Sequence, residues 1–291
     1  MTDNKIQVPG YYLDSFLVTK NRLDKLNDRH LKQFIEEFKE LDLGVNDHRG
    51  MLAIFSKYGE EGFSSKVFQS GVSLSTYEFM KRMGFKQDKV GRFGSKRIKE
   101  ALEALLRLSR NTVSVYFMKF KKREEGVDHY DVVAIPNCRL IEIVYAASNV
   151  TEKDLENGRV EEKVSKIQVR VFPKFCNEGY YKLFEGDFYP RLKALLERSG
   201  RRVGKYHFNF ALWYLKQNKK RPYSEINVDK LCCLLKIPFD SFHKTRARQI
   251  VRILYKDFKK LGYLEKFKIN VPAKNKGTKD VLYFSDPNGL H

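Results

Sequence analysis

The stretch Val228-Asp-Lys-Leu-Cys-Cys-Leu-Leu-Lys-Ile-Pro238, followed by His243-Lys-Thr-Arg-Ala-Arg-Gln-Ile-Val-Arg-Ile-Leu-Tyr-Lys-Asp-Phe-Lys-Lys-Leu-Gly262, decides how this chain folds. The first part is a short apolar helix stopped by Pro238, whose ring cannot continue it. In the second, steps of about 100° per residue from an inward Leu254 put Ala247, Ile250, Val251, Leu254, Phe258 and Leu261 on one stripe. The opposite face then holds Ser241, Thr245, Arg248, Gln249, Arg252, Lys256 and Lys259, with no acid apart from the flanking Asp240 and Asp257. Asp240 or Ser241 is the expected N-cap and Gly262 the stop. A short helix, a turn and a long cationic amphipathic helix make a helix-turn-helix.

Outward from this core, Tyr206 to Gln217 reads as a helix seeded by Phe210, Trp213 and Tyr214, and Arg221 to Ser224 as a turn and short strand. Downstream, Tyr263 to Asn270 and Val281 to Phe284 form a strand pair around the loop Pro272 to Asp280. That order predicts a winged helix. An earlier part of the chain repeats the plan: a short strand at Val72 and Leu74, then a helix capped by Ser75 with Glu78 reaching back. That helix ends at Gly84, and a basic turn from Lys86 to Gly94 leads to a second helix, Ser95 to Ser109, with Ile98, Leu102, Leu105 and Leu106 inward. Alternating segments at Thr112 to Phe120, Asp131 to Ile135, Leu140 to Ala146 and Ile167 to Phe172 predict an antiparallel sheet, and the charged segment Asn149 to Lys166 a surface loop. The fold expected is α+β, two tandem winged-helix domains with antiparallel β wings. Residues 1–50 form an N-terminal helical segment, with Leu31, Phe34, Ile35, Phe38 and Leu41 at helical spacing; 51–173 the first domain with a sheet extension, opened by a short helix from Met51 to Tyr58; and 174–291 the second, opened by aromatic residues from Tyr180 to Tyr189.

Charge points to the ligand. Of a net +20 over 291 residues, a surplus of +13 lies between Arg201 and Lys268, where eighteen Lys and Arg face five acids. Cations so concentrated neutralise phosphates and release their counterions, so nucleic acid is the expected partner. Arg248 and Gln249 have the geometry for bidentate base readout, and Lys244, Arg246, Arg252 and Lys256 for phosphate contacts. In the first domain Arg92, Lys96 and Arg97 are the corresponding candidates, with Glu100 weakening that face; Lys274 and Lys276 sit in the wing loop. The aromatic side chains near Tyr180 and Phe188 serve core packing or base stacking.

Other chemistries fit poorly. The four cysteines lack zinc spacing, no catalytic or metal-binding cluster emerges, and no cofactor is expected. They read as buried, reduced thiols. No apolar run approaches the roughly 20 residues of a membrane span, and Met1 to Gly10 lacks the apolar core of a signal peptide, so a cytoplasmic protein is expected. No stretch fits a Walker loop. His243-Lys-Thr-Arg246 matches an HxxR element, with Tyr283 as a candidate nucleophile for a tyrosine recombinase, but two residues in so basic a chain are weak support.

In its motifs the chain resembles the plasmid replication initiators of the RepA and TrfA type. The resemblance runs through Phe184-Glu-Gly-Asp-Phe-Tyr-Pro-Arg-Leu-Lys-Ala-Leu-Leu-Glu-Arg198, Ala211-Leu-Trp-Tyr-Leu-Lys216, Arg221-Pro-Tyr223, Val228-Asp-Lys-Leu-Cys232 and the helix Ile250 to Gly262 leading into Tyr263-Leu-Glu-Lys266. Tyr77-Glu-Phe-Met-Lys-Arg-Met-Gly84 and Arg97-Ile-Lys-Glu-Ala-Leu-Glu-Ala-Leu105 extend it. It implies a non-enzymatic protein that binds direct repeats in a double-stranded plasmid origin, helps open an AT-rich segment and recruits the host initiator and helicase. It also implies exchange between an inactive homodimer and a DNA-binding monomer. A transcriptional repressor is the alternative.

Overall fold

The computed structural model describes residues 5–10, 12–13, 42–124, 127–157, 163–175, 181–217, 222–239, 243–272 and 278–285, with the side chains of 113–137 and 174 left aside. The expected helix around Leu31 to Leu41 lies outside them. The chain is a mixed α+β protein with antiparallel sheets, divided into two compact units that meet in sequence at Tyr181 and Lys182.

The first unit contains β1 (Lys5–Pro9) from Ile6 on and then α1 (Val45–Glu60). α1 starts six residues before the expected Met51, crossing the expected boundary at residue 50. Its first turn, Asn46 to Arg49, is polar and hides the start from a periodicity reading, yet Asp47, His48 and Arg49 are buried. Their polar groups are matched: Asp47 accepts the Gly44 N–H at 2.9 Å, and Arg49 Nε donates to the Met83 carbonyl at 2.6 Å. Next come α2 (Ser65–Ser70), β2 (Val72–Ser75) and α3 (Thr76–Arg82), where Ser75 accepts the Glu78 N–H at 3.0 Å as expected of an N-cap. Entry into β2 needs Gly71: its φ is +78°, and a Cβ there would lie 2.7 Å from the Val169 carbonyl oxygen.

α4 (Ser95–Arg110) buries Ala101, Leu102, Ala104, Leu105 and Leu108, whereas Ile98 and Leu106, expected inside, are half-exposed. The stripe is rotated to take in the small, buried Ala101 and Ala104, which a search for large apolar residues passes over. β3 (Thr112–Glu124) and β4 (Val127–Arg139) run thirteen residues each and pair only with each other among the described strands, where a single larger sheet was expected. A separate three-stranded sheet has the order β2-β6-β5, built with β5 (Ile141–Ala147) and β6 (Val164–Val171). The expected loop at Asn149 to Lys166 holds a short helix, α5 (Glu152–Glu156), capped by Thr151 and Asp154, and β6 already begins at Val164.

In the second unit, β7 (Tyr181–Glu185) and α6 (Phe188–Glu197) precede α7 (Lys205–Lys216), β8 (Tyr223–Ile226), α8 (Val228–Leu234), α9 (Lys244–Lys260), β9 (Leu264–Pro272) and β10 (Thr278–Phe284). The sheet order is β8-β10-β9, all antiparallel. Thus both units run helix, strand, helix, helix, strand, strand, with sheet order first-third-second, except that the first inserts the β3-β4 ribbon after α4 and the short α5 between its last two strands. The core is aromatic, with Phe210 and Phe258 in edge contact at 4.5 Å and Phe188 between Phe208 and Phe258. Phe184 and Phe188 are therefore core residues, not base-stacking ones.

Of the cysteines, Cys232 is buried and its thiol is pushed up to about 12, chiefly by burial and then by the Asp229 charge, but Cys233 is exposed, against expectation, because α8 buries only one face. Among the described residues no helix is long and apolar enough to cross a membrane.

Candidate nucleic-acid interface

α9 carries the densest array of candidates. Ala247, Val251, Leu254, Tyr255, Phe258 and, just after the helix, Leu261 are buried, while Lys244, Thr245, Arg246, Gln249, Lys256, Lys259 and Lys260 are exposed. The amphipathic pattern is as expected, with Ile250 only half-buried. Asp257 differs: it does not flank the cationic face but is buried, 1% exposed, on the core side. Arg201 Nη1 donates to it at 3.0 Å, and His207 Nε2 on α7 lies 3.3 Å away. Burial pushes this carboxyl up, but the hydrogen bonds and charges of His207 and Arg201 outweigh it and hold it below the usual aspartate range. At the far end, Arg191 on α6 donates to the Leu261 carbonyl at 2.7 Å, satisfying an acceptor that the helix terminus leaves open.

The helix begins at Lys244, with His243 at the N-cap position; the expected cap, Asp240 or Ser241, falls outside the described residues. Lys244, Thr245 and Arg246 therefore form the first turn, where the positive end of the helix dipole adds to their charge and no acid answers it from within the turn. One acid answers it from the neighbouring helix. Arg248 Nε and Nη2 each donate to the Asp229 carboxylate of α8 at 2.8 Å, and Lys244 Nζ lies 3.6 Å from it. The Arg248 hydrogen bonds lead in holding Asp229 below the usual carboxylate range; partial burial opposes them, and the Arg248 and Lys244 charges add to them. Arg248 is thus already held in the free protein.

Arg252, expected on the phosphate-facing side, is half-buried, and its Nε is closed off from solvent. Its charge acts on Asp280, a buried carboxylate where β9 and β10 bend. There Asp280 accepts the N–H of Asn270 at 3.0 Å, Asn270 has a left-handed φ of +55°, and the register slips between Lys279 and Val281. Burial raises the Asp280 pKa; the Asn270 N–H, the Arg252 charge, the Tyr255 hydroxyl and the Arg248 charge only partly offset it. A carboxyl that holds its proton more tightly folded than unfolded favours folding at low pH, and this contribution falls away as pH rises from the ordinary aspartate value through the raised one. Asp280→Asn keeps an acceptor for Asn270 and removes the charge. It is expected to leave thermal stability at pH 7 unchanged or higher; a clear drop would show that the ionised form supports the bend.

In the first unit Arg92, Lys96 and Arg97 are exposed, together with Lys89 and Lys99. The turn before α4 is built on Asp88, which accepts the N–H groups of Val90 at 2.9 Å and Arg92 at 2.8 Å. Val90 stands 75% exposed at its tip. Arg97 donates to the Lys86 carbonyl, Glu100 is half-buried, and Arg107 pairs with Asp47 at 2.9 Å. On this face Arg97 and Arg107 have partners within the unit, and Lys89, Arg92, Lys96 and Lys99 are exposed. Ser241, Lys274 and Lys276 lie outside the described residues. Of the HxxR reading, His243 and Arg246 sit at the start of α9, while Tyr283 lies in β10 with its ring 4.8 Å from Lys266 Nζ and 5.9 Å from the Tyr223 ring.

No protein-family model matches the chain, and no curated protein matches its sequence. Among solved structures, the chain is similar to the crystal structure of selenomethionine derivatives of domains 2 and 3 of RctB. The TM-score is 0.41 and the identity 10%, over 82% of this chain and 81% of that one.

Asp229, Asp257 and Asp280, with Arg201 and His207, shape the α9 face; periodicity placed Asp257 beside the face rather than beneath it and assigned it none of the others. Asp229 lies 19 residues before Arg248 and Arg201 56 before Asp257. The one local signal was a lone acid at each place in a strongly basic stretch.

Proposed function

We propose that this protein binds double-stranded DNA in a sequence-specific way through α9, each unit acting as a winged helix, and that it serves as a plasmid replication initiator without catalytic activity of its own. The observation that carries the reading is the exposed first turn and face of α9, Lys244, Thr245, Arg246, Gln249 and Lys256, mounted on a helix tied to its unit at Asp257 and Leu261. A helix held this way and cationic along its outer face fits the major groove, its N-terminal residues against base edges. With α9 starting at Lys244, Lys244 and Arg246 join the residues near bases, and Lys256, three turns on, is left for the backbone. The shared connectivity of the two units favours tandem, unlike half-sites in one chain. Opening of an AT-rich segment, recruitment of host initiator and helicase, and storage as a homodimer rest on the resemblance of the motifs at Phe184 to Arg198 and Tyr77 to Gly84.

The test is selection of bound fragments from plasmid or genomic DNA at about 0.15 M salt, where non-specific affinity is already low. Direct repeats beside an AT-rich stretch support the initiator; a single palindrome at a promoter makes the protein a repressor; no enrichment removes the reading. Lys256→Ala is expected to weaken all sites alike and to reduce the salt slope of log K by about one. Loss confined to one sequence would show that Lys256 reads bases.

A further inference from the structure

We infer that Asp229 is a positioning residue that presents the guanidinium of Arg248 to a guanine, so that the DNA site contains a guanine read by this pair. The inference rests on the DNA-binding reading above and deepens it. A guanidinium has five N–H donors in a fixed plane. Asp229 takes the side edge, Nε and one hydrogen of Nη2, through two bonds of 2.8 Å. The end edge, formed by Nη1 and the outer hydrogen of Nη2, is left over: Nη1 has no partner among the described residues and is not among the buried unpaired atoms. The Arg248 side chain is 41% accessible, so that edge reaches water. Two parallel N–H groups on one edge match the O6 and N7 acceptors of guanine in the major groove.

The charge balance favours a base over a phosphate. Paired to a carboxylate, Arg248 contributes little net charge, which weakens sequence-independent attraction to the backbone, while its directional donors are kept. The side chain is ordered during folding, so less of that ordering remains to be met on binding. Lys256, exposed and with no acid partner among the described residues, lacks this arrangement and suits the opposite role.

The experiment is selection from a randomised duplex library at about 0.15 M salt with the full chain and its variants Arg248→Ala, Arg248→Lys, Asp229→Ala and Asp229→Asn, with salt titrations and melting curves for each. The wild type is expected to select a motif in which one guanine loses its preference in both Arg248 variants, since lysine lacks the planar fork. The same preference falls by at least about ten-fold in Asp229→Ala, while other positions hold. Random-sequence binding by Asp229→Ala rises and its salt slope steepens by about one, as a cation is unmasked. A purely structural Asp229 would lower the melting temperature and weaken every position equally. An inhibitory one would raise affinity in Asp229→Ala and Asp229→Asn without touching the guanine preference. Either result overturns the inference. A wild-type motif indifferent to Arg248 also overturns it and leaves DNA binding intact, whereas no motif at all defeats the DNA-binding reading itself.

Discussion

Asp257→Ala is expected to destabilise the second unit by about 3 kcal/mol, at the low end of what removal of one member of a buried ion pair costs. The carboxylate is 2% exposed in its side chain and joins Arg201, on the connection between α6 and α7, and His207 on α7 to α9. Its loss leaves the Arg201 guanidinium without its partner beneath the helix. The low end applies because the Arg201 side chain is 38% exposed and can turn to water. The pH dependence follows from the depressed pKa of Asp257. Ionised Asp257 stabilises the fold above the unfolded aspartate value of about 3.9, and that contribution disappears as pH falls through the lower folded value. Denaturant titrations at pH 7 and near pH 3 measure both: wild type and Asp257→Ala should differ more at the higher pH. A difference at pH 7 under about 1 kcal/mol, the range of a surface pair, would show that α9 does not depend on this network.

Tyr58→Ala is expected to cost about 3–5 kcal/mol in the first unit, the range for truncating a buried aromatic side chain. Tyr58 is fully buried on α1, with its ring centroid 4.5 Å from that of Phe68. Its hydroxyl accepts the Val171 N–H at 3.1 Å and donates to the Val169 carbonyl at 3.3 Å, holding α1 to the backbone of β6. Tyr58→Phe separates the two contributions. It keeps the ring, strands two backbone groups and is expected to cost about 1–3 kcal/mol. Chemical denaturation of both variants checks this. If Tyr58→Phe matched wild type, water or another group would be meeting those backbone partners.

Short-range features were legible in the chain. The Ser75 cap, the buried stripe of α9 and the helix-strand-helix-helix-strand-strand order of the second unit all follow from residues within one turn or one strand of each other. The start of α1 was not legible, because Asp47, His48 and Arg49 are polar yet buried, with distant partners such as the Met83 carbonyl for Arg49 and Arg107 for Asp47. Nor was the rotation of α4, since alanines such as Ala101 and Ala104 carry little apolar surface to mark the face they bury. The separation of the β3-β4 ribbon from the β2-β6-β5 sheet was hidden for a related reason: alternation marks a strand but carries no information about its partner.

The candidate interface divides along the same line. Composition and periodicity alone determined that a long basic helix would expose cations on one face, since charge and 3.6-residue spacing are local properties. Which of those cations remain open to a ligand was decided by the tertiary structure. Asp229 occupies one edge of Arg248, the bend at Asp280 draws in Arg252, and Arg246, Gln249 and Lys256 stay exposed. A carboxylate's effect depends on distance and burial, and folding brings together charges that the sequence separates by 19 or 56 residues.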